Sequence, residues 1–144
     1  MDIIFYLYEE RLDLFLAGLG IIFVALGLVL MIVSYIYVSV NLKGMCEIFF
    51  RDEKKYTIPL EPFNFFFISM LPTTFWREIL NIKYNKSFKN LYSKEFYYPI
   101  DKIQLIELLN KYPLFFKIQY MVFCSGGFAL FFIICSFVFD KYFM

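Results

Sequence analysis

The chain has 144 residues, of which 61% are hydrophobic, 24% are aromatic and 19% are charged, with a net charge of +1. Ordinary soluble domains are only about 45–50% apolar, and the near-neutral charge excludes a nucleic-acid-binding protein that relies on a basic excess. The sequence has no histidine, and its three cysteines form no CxxC pair. We therefore expect no metal site, no cofactor and no disulfide framework.

The first predicted element is a membrane-spanning helix at residues 14–40, which carry no charged side chain. A helix of this length reaches about 40 Å, against a hydrocarbon core of about 30 Å. A cleaved signal peptide would need a basic start and a small-residue cleavage site, whereas this chain opens on the acidic sequence MDIIFYLYEERLD. We predict that the helix is retained and that residues 1–13 form a short extracytoplasmic tail.

Small side chains recur along one side of this helix, and a second, shorter set recurs in residues 113–139. Such stripes let helix backbones approach closely in lipid, where the hydrophobic effect contributes little to helix association. We predict that the two sets face each other in a helical hairpin. The alternative is that they pack against another copy of the chain or another protein. The predicted helix-packing residues are Ala17, Gly20, Gly27, Ser34, Ser125, Ala129 and Ser136.

Residues 41–112 are predicted to form an amphipathic, mainly helical loop region that is cytoplasmic or lies at the membrane surface. Within it, residues 46–60 fit either a β-hairpin or a helix that continues from the first span and ends before Pro59. The helix is favoured slightly, because an isolated hairpin is marginally stable.

An apolar segment at residues 63–71 lies between two prolines and covers only about 14 Å as a helix, which is too short to span a bilayer. We predict that it lies in the headgroup plane, and a re-entrant segment is the alternative. The predicted interfacial residues are Phe63, Phe66, Phe67 and Trp76.

Two short amphipathic helices are predicted next. The first begins near Thr74, and its predicted apolar side consists of Trp76, Ile79, Leu80 and Tyr84. Lysines then alternate with aromatic rings in residues 84–98, which indicates contact with lipid headgroups rather than nucleic acid. The second helix has Asp101 and Gln104 as a capping-box pair. Its predicted apolar face consists of Ile103, Leu105, Ile106 and Leu109.

A second membrane-spanning helix is predicted at residues 113–139, followed by a short tail at residues 140–144. Twelve of the fourteen Lys and Arg residues lie between Asn41 and Lys117. Because cationic loops are retained in the cytoplasm, the loop is predicted to be cytoplasmic and both termini extracytoplasmic, in the inner membrane of a bacterium. The predicted fold is an all-α membrane protein, a two-span hairpin with a mainly helical cytoplasmic loop.

No motif in the sequence assigns a reaction. Ser125 lacks the G-x-S-x-G frame of a hydrolase nucleophile, and Cys46 is interpreted as a packed thiol, with acylation as the alternative. The leading hypothesis is a small non-enzymatic membrane protein of accessory, regulatory or immunity type. Its expected partners are membrane lipids and another membrane protein or a second copy. The alternatives are a homo-oligomeric pore and, least favoured, a lipid-modifying enzyme built on Glu61 and Arg77.

Overall fold

A computed structural model describes residues 11–84 and 100–143 of the chain. These residues form six α-helices and no strand, which confirms the predicted all-α class for the part of the chain described. The helices are α1 (Leu12–Val40), α2 (Leu42–Phe50), α3 (Pro62–Thr74), α4 (Trp76–Lys83), α5 (Lys102–Lys111) and α6 (Pro113–Phe143).

Helices α1 and α6 are each long and apolar enough to cross a membrane. Only 6% of the most apolar stretch of α1 and 11% of that of α6 is buried. A core helix of a soluble protein would instead be mostly covered, since burial of its apolar surface is what stabilises it. Helix α1 begins at Leu12, and α6 continues through residues 140–143, so both are slightly longer than the predicted spans.

The chain divides into two compact units, which are described separately. One, called the paired-helix unit, consists of residues 1–31 and 121–144, and the other, called the middle unit, consists of residues 32–120. In the paired-helix unit the Phe23 ring lies 5.6 Å from that of Phe132 and 5.3 Å from that of Phe128. At its edge, the Asp13 carboxylate accepts two hydrogen bonds from the Arg11 guanidinium, at 2.9 and 3.1 Å.

The core of the middle unit is built from α2, α5 and the start of α6, with further buried side chains from the end of α1, from α3 and from α4. Helix α2 contributes five buried side chains, and α5 packs against it. Tyr112, Phe115 and Phe116 extend the same core into α6. The buried residues of α2 and α5 are Leu42, Met45, Cys46, Ile48, Phe49, Leu105 and Leu108.

Helix α2 decides between the two interpretations of residues 46–60. The β-hairpin is wrong, because the chain is helical up to Phe50. The helical interpretation is confirmed only that far, and α2 is separated from α1 by a turn at Asn41. The helix ends where Arg51 adopts a left-handed conformation, with φ 56°, which places its N–H on the Glu47 carbonyl and stops helix propagation.

Helices α3 and α4 follow each other with a single residue, Phe75, between them. Pro62 occupies the first helical position of α3, where its missing N–H is not needed. The Tyr35 hydroxyl donates to the Leu60 carbonyl at 3.2 Å, and the Tyr120 hydroxyl donates to the Pro72 carbonyl at 3.3 Å. Two tyrosines of the long helices thus hold the two ends of α3 within the middle unit.

The predicted apolar side of α4 is wrong in part. Trp76, Leu80 and Tyr84 are exposed, whereas Ile79 and Glu78 are buried. The stripe that faces the core starts one residue earlier, at Phe75, and follows the i, i+3, i+4, i+7 spacing of a helix face. That register includes Phe75, Ile79 and Ile82, and it carries Glu78 inward with them.

The capping box predicted at the start of α5 is confirmed. Asp101 Oδ1 accepts from the Gln104 backbone N–H at 2.8 Å, and Gln104 Oε1 accepts from the Asp101 N–H at 2.9 Å. Gln104 Nε2 also donates to the Ile48 carbonyl at 2.7 Å, which ties α5 to α2. The predicted apolar face is shifted, because Leu105 and Leu108 are buried while Ile103 is exposed. The lysine-aromatic segment predicted at residues 84–98 lies outside the described residues, apart from Tyr84.

Replacing Gln104 should destabilise the middle unit. Gln104→Ala removes the hydrogen bonds to the Asp101 N–H and the Ile48 carbonyl, so we expect a loss of about 1–2 kcal/mol in the free energy of unfolding. Glu107→Ala on the exposed side of the same helix is the matched control, and its effect should lie within about 0.5 kcal/mol. Denaturant titration followed by circular dichroism measures both, and equal effects would show that the Gln104 bridge contributes nothing.

Candidate functional site

Close approach of α1 and α6 in the paired-helix unit occurs at two glycines. A Cβ at Gly20 would lie 2.7 Å from Ile133 Cγ1 and 3.3 Å from the Ala129 carbonyl oxygen. A Cβ at Gly27 would lie 3.3 Å from Ser125 Oγ. The structure therefore brings Gly20 to Ala129 and Gly27 to Ser125, four of the residues predicted for helix packing.

Two serines of α6 reach across to the backbone of α1. Ser125 Oγ donates to the Phe23 carbonyl at 2.6 Å, and Ser136 Oγ donates to the Asp13 carbonyl at 2.7 Å. The contacts advance along α6 as they recede along α1, so the two segments run antiparallel. Each hydroxyl is satisfied without water, and such hydrogen bonds between apolar helices contribute about 0.6 kcal/mol on average.

The remaining packing residues of the prediction are Ala17 and Ser34. Ala17 is half-buried on α1. Ser34 lies in the middle unit, where its buried hydroxyl accepts a hydrogen bond from Gln119 Nε2. Gln119 is not among the predicted packing residues, although an amide within a long apolar helix is a residue type that forms hydrogen bonds across helices.

The outward surface of the paired-helix unit is apolar and bulky. Among the described residues of this unit, most exposed side chains are aliphatic or aromatic, while Asp140 and Lys141 are exposed near the end of α6. An exposed apolar surface of this extent is typical of contact with lipid or with another protein. Examples are Ile21, Ile22, Leu28, Val29, Phe123, Leu130, Phe131 and Phe137.

Helix α3 presents a second exposed apolar surface, which we call the aromatic face. It consists of Phe63, Phe66, Phe67 and Met70, whose spacing places them on one side of the helix. Phe63 is 76% exposed. The opposite side packs into the core through Ile68 and Leu71. Because both sides of α3 are apolar, its exposed side is of the kind that contacts lipid or another protein. Three of the four predicted interfacial residues lie on this face.

The fourth predicted interfacial residue, Trp76, lines a groove in the middle unit. The groove is formed by α4, the end of α5 and the start of α6, and its volume is about 380 Å³. Its walls are apolar, with Lys83 and Lys117 as its charged lining residues. Its other lining residues are Ile79, Leu80, Leu109, Pro113, Phe116 and Tyr120. No local sequence signal indicates this groove, because it joins residues that are up to 44 positions apart.

Cys46 lies in the core of the middle unit with no exposed surface. Burial raises the pKa of its thiol above the ordinary value of 9.0, and the nearby Asp52 adds to the shift. A thiol that is both inaccessible and protonated is a poor nucleophile, which supports the packed-thiol interpretation over acylation.

Glu78 is the buried acidic side chain of α4, with 2% of its surface exposed. Within residues 11–84 and 100–143, its Oε1 has no hydrogen-bond partner, as is also true of the buried hydroxyls of Ser39 and Ser69. Leaving a buried polar group unpaired costs about 1–3 kcal/mol. Among the residues described, no three metal-ligating side chains come together.

Gly20→Leu should weaken the contact between α1 and α6. A larger side chain can displace the flexible Ile133, but it cannot displace the Ala129 backbone, so we expect a loss of about 1–3 kcal/mol in the free energy of unfolding. Gly18→Leu is the matched control, because a Cβ there meets nothing within 4 Å. Unfolding in mixed micelles, followed by circular dichroism, compares the two variants. Equal stabilities would contradict the close approach at Gly20.

Cys46 should react slowly with alkylating reagents while the chain is folded. In a chain with Cys124→Ala and Cys135→Ala, we expect maleimide to label Cys46 roughly tenfold or more slowly than an exposed thiol. The reference thiol is Lys43→Cys on the same helix, with Cys46→Ala added. The pKa of this thiol is higher in the folded chain than in the unfolded chain, so the unfolded chain ionises first as the pH rises above 9.0. The free energy of unfolding should therefore fall in that range. Equal labelling rates would contradict the burial of Cys46.

Comparison with known protein families, with curated proteins and with solved structures finds no match for this chain. The features that bear on its function are the two exposed apolar surfaces and the groove.

Proposed function

We propose that the chain is an integral protein of the bacterial inner membrane that acts by contacts with another membrane protein and carries out no catalysis. The observation that carries the proposal is the exposed apolar surface of α1 and α6. In water this surface would be unfavourable by about 25 cal/mol for each Å², whereas lipid accommodates it. Each helix is also longer than the roughly 20 residues needed to cross a bilayer.

The proposed orientation places residues 41–112 in the cytoplasm and both termini outside. It is supported by the distribution of positive charge, since twelve of the fourteen Lys and Arg residues lie between Asn41 and Lys117. Positively charged segments next to a span are retained on the cytoplasmic side. Asp13, near the start of α1, lies at the end assigned to the outer face.

The proposed partner-binding surface is the aromatic face of α3. The small residues of α1 and α6 already contact each other at Gly20 and Gly27, so these stripes are occupied within the chain. Helix α3 has 13 residues, which is too few to span. We propose that it lies at headgroup depth and presents Phe63 and its neighbours to another membrane protein. The chain would act toward that protein as an accessory, regulatory or immunity protein.

The pore alternative has less support. The polar residues best placed to line a pore are Ser34, Asn41, Gln119 and Ser125. Ser34 and Gln119 bond to each other, Ser125 bonds to the Phe23 carbonyl, and Asn41 Nδ2 donates to the Tyr37 carbonyl at 2.8 Å. Polar groups that satisfy one another inside the chain do not supply the hydrophilic wall that a conducting path requires.

The lipid-modifying enzyme also has less support. This hypothesis depends on Glu61 and Arg77, whose side chains are both exposed. The Glu61 carboxylate accepts a hydrogen bond from Asn64 Nδ2 at 3.2 Å. Within the described ranges, no ion pair joins Glu61 to Arg77, so no observation favours a shared reactive site.

Purification in a mild detergent tests the partner. The wild-type chain should co-purify with one membrane protein in a fixed ratio. Phe63→Ser together with Phe67→Ser should lower the recovery of that protein at least about fivefold, because burying each ring contributes roughly 1.5–3 kcal/mol. Ile58→Ser is the control, since Ile58 is an exposed apolar side chain outside α3. A chain that purifies alone under every mild condition would contradict the proposal.

A further inference from the structure

We propose that the groove of the middle unit binds one anionic phospholipid, whose phosphate lies between Lys83 and Lys117 and whose acyl chain packs against the apolar walls. This inference rests on the proposed membrane location of the chain and adds a specific lipid to it. Neither the aromatic face nor the helix-packing residues take part.

The shape and lining of the groove fit an amphiphile. Its volume of about 380 Å³ lies in the range of small-molecule sites, roughly 300–1,000 Å³. Trp76, Leu80 and Phe116 supply apolar walls, while one lysine comes from α4 and the other from α6. A polar solute would gain little from such walls, whereas a lipid uses both the walls and the cations.

The two lysines that line the groove favour an anionic ligand. No acidic side chain is among its lining residues. Lys83 and Lys117 are exposed, and within residues 11–84 and 100–143 neither ammonium group forms an ion pair. The hydroxyl of Tyr120 donates to the Pro72 carbonyl. The groove therefore presents two positive charges with no acceptor of its own to neutralise them, and phosphate supplies the complementary charge.

The position of the groove along the chain also fits a headgroup. Pro113, the first residue of the candidate span Pro113–Tyr142, forms part of its lining, and Lys117 follows about one turn later. In the proposed membrane orientation, this end of α6 meets the cytoplasmic headgroups. Basic pockets beside spanning helices on that side of a membrane are where anionic headgroups bind.

Trp76 provides a direct measurement, because it is the only tryptophan of the chain and it lines the groove. Bromine on an acyl chain quenches tryptophan fluorescence on contact. The full chain is reconstituted in vesicles of phosphatidylcholine and phosphatidylglycerol at equal mole fractions, with bromine on one lipid or on the other. We expect a relative association constant of about 25 in favour of phosphatidylglycerol, since each of the two lysines contributes about a factor of 5 near an anionic headgroup.

Three variants assign this preference to the groove. Lys83→Gln together with Lys117→Gln should bring the relative association constant to about 1. Lys83→Arg together with Lys117→Arg keeps both charges and should retain the preference. Lys54→Gln together with Lys102→Gln removes the same net charge from exposed positions outside the groove, and it should also retain the preference.

The other outcomes overturn the inference in different ways. Equal quenching by the two brominated lipids would overturn the anionic-lipid site and leave the proposed membrane function intact. A preference that persists in the Lys83→Gln, Lys117→Gln variant would overturn the assignment to this groove. Absence of quenching by either lipid would overturn the lipid site, because Trp76 would then lie away from acyl chains, and would leave the proposed spans of α1 and α6 intact.

Discussion

Close backbone approach at Gly20 and Gly27 is the constraint on which the paired-helix unit depends. It brings α6 near enough for Ser125 and Ser136 to reach carbonyl oxygens of α1. Because the polar side chains of the contact are satisfied there, the large apolar side chains are left for the outside. An inward face of small and polar groups with an outward face of bulky apolar groups is the arrangement expected of helices whose surroundings are lipid.

The middle unit provides a folded support for two surfaces of different chemistry. Its core joins α2, α5 and the beginning of α6, and Gln104 links the first two through the Ile48 carbonyl. On this core, α3 presents the exposed aromatic face. Residues of α4, α5 and α6 form the groove, whose lining includes the side chains of Lys83 and Lys117. In the two proposals made above, the first surface binds a protein partner and the second binds an anionic lipid.

Features with a local or periodic signal were predictable from the sequence. The two long helices follow from uninterrupted apolar length, and the capping box follows from Asp101 and Gln104. The exposed face of α3 follows from its apolar run, although the helix continues through Pro72 to Thr74. Each of these signals lies within a single helix. The contacts of Gly20 and Gly27 with α6 join residues about a hundred positions apart.

Features that depend on packing were not predictable in the same way. The inward side of α4 is set by Phe75, one residue before the predicted apolar side begins, and this register carries Glu78 inward and leaves Trp76 outside. The exposure of Ile103 follows from the direction in which Gln104 reaches α2. The groove combines residues from three helices that are distant in sequence. No sequence pattern therefore connects its two lysines, and only the fold of the middle unit places both in the groove.

The central proposal is that α1 and α6 cross the membrane while residues 41–112 stay in the cytoplasm. The most direct measurement is the activity of paired topology reporters inserted at Lys54, in the exposed turn that follows α2. Fluorescent protein, which matures in the cytoplasm, should be bright at this position, and alkaline phosphatase, which needs the oxidising outer compartment, should be inactive. An active phosphatase with a dark fluorescent protein at Lys54 would contradict the account.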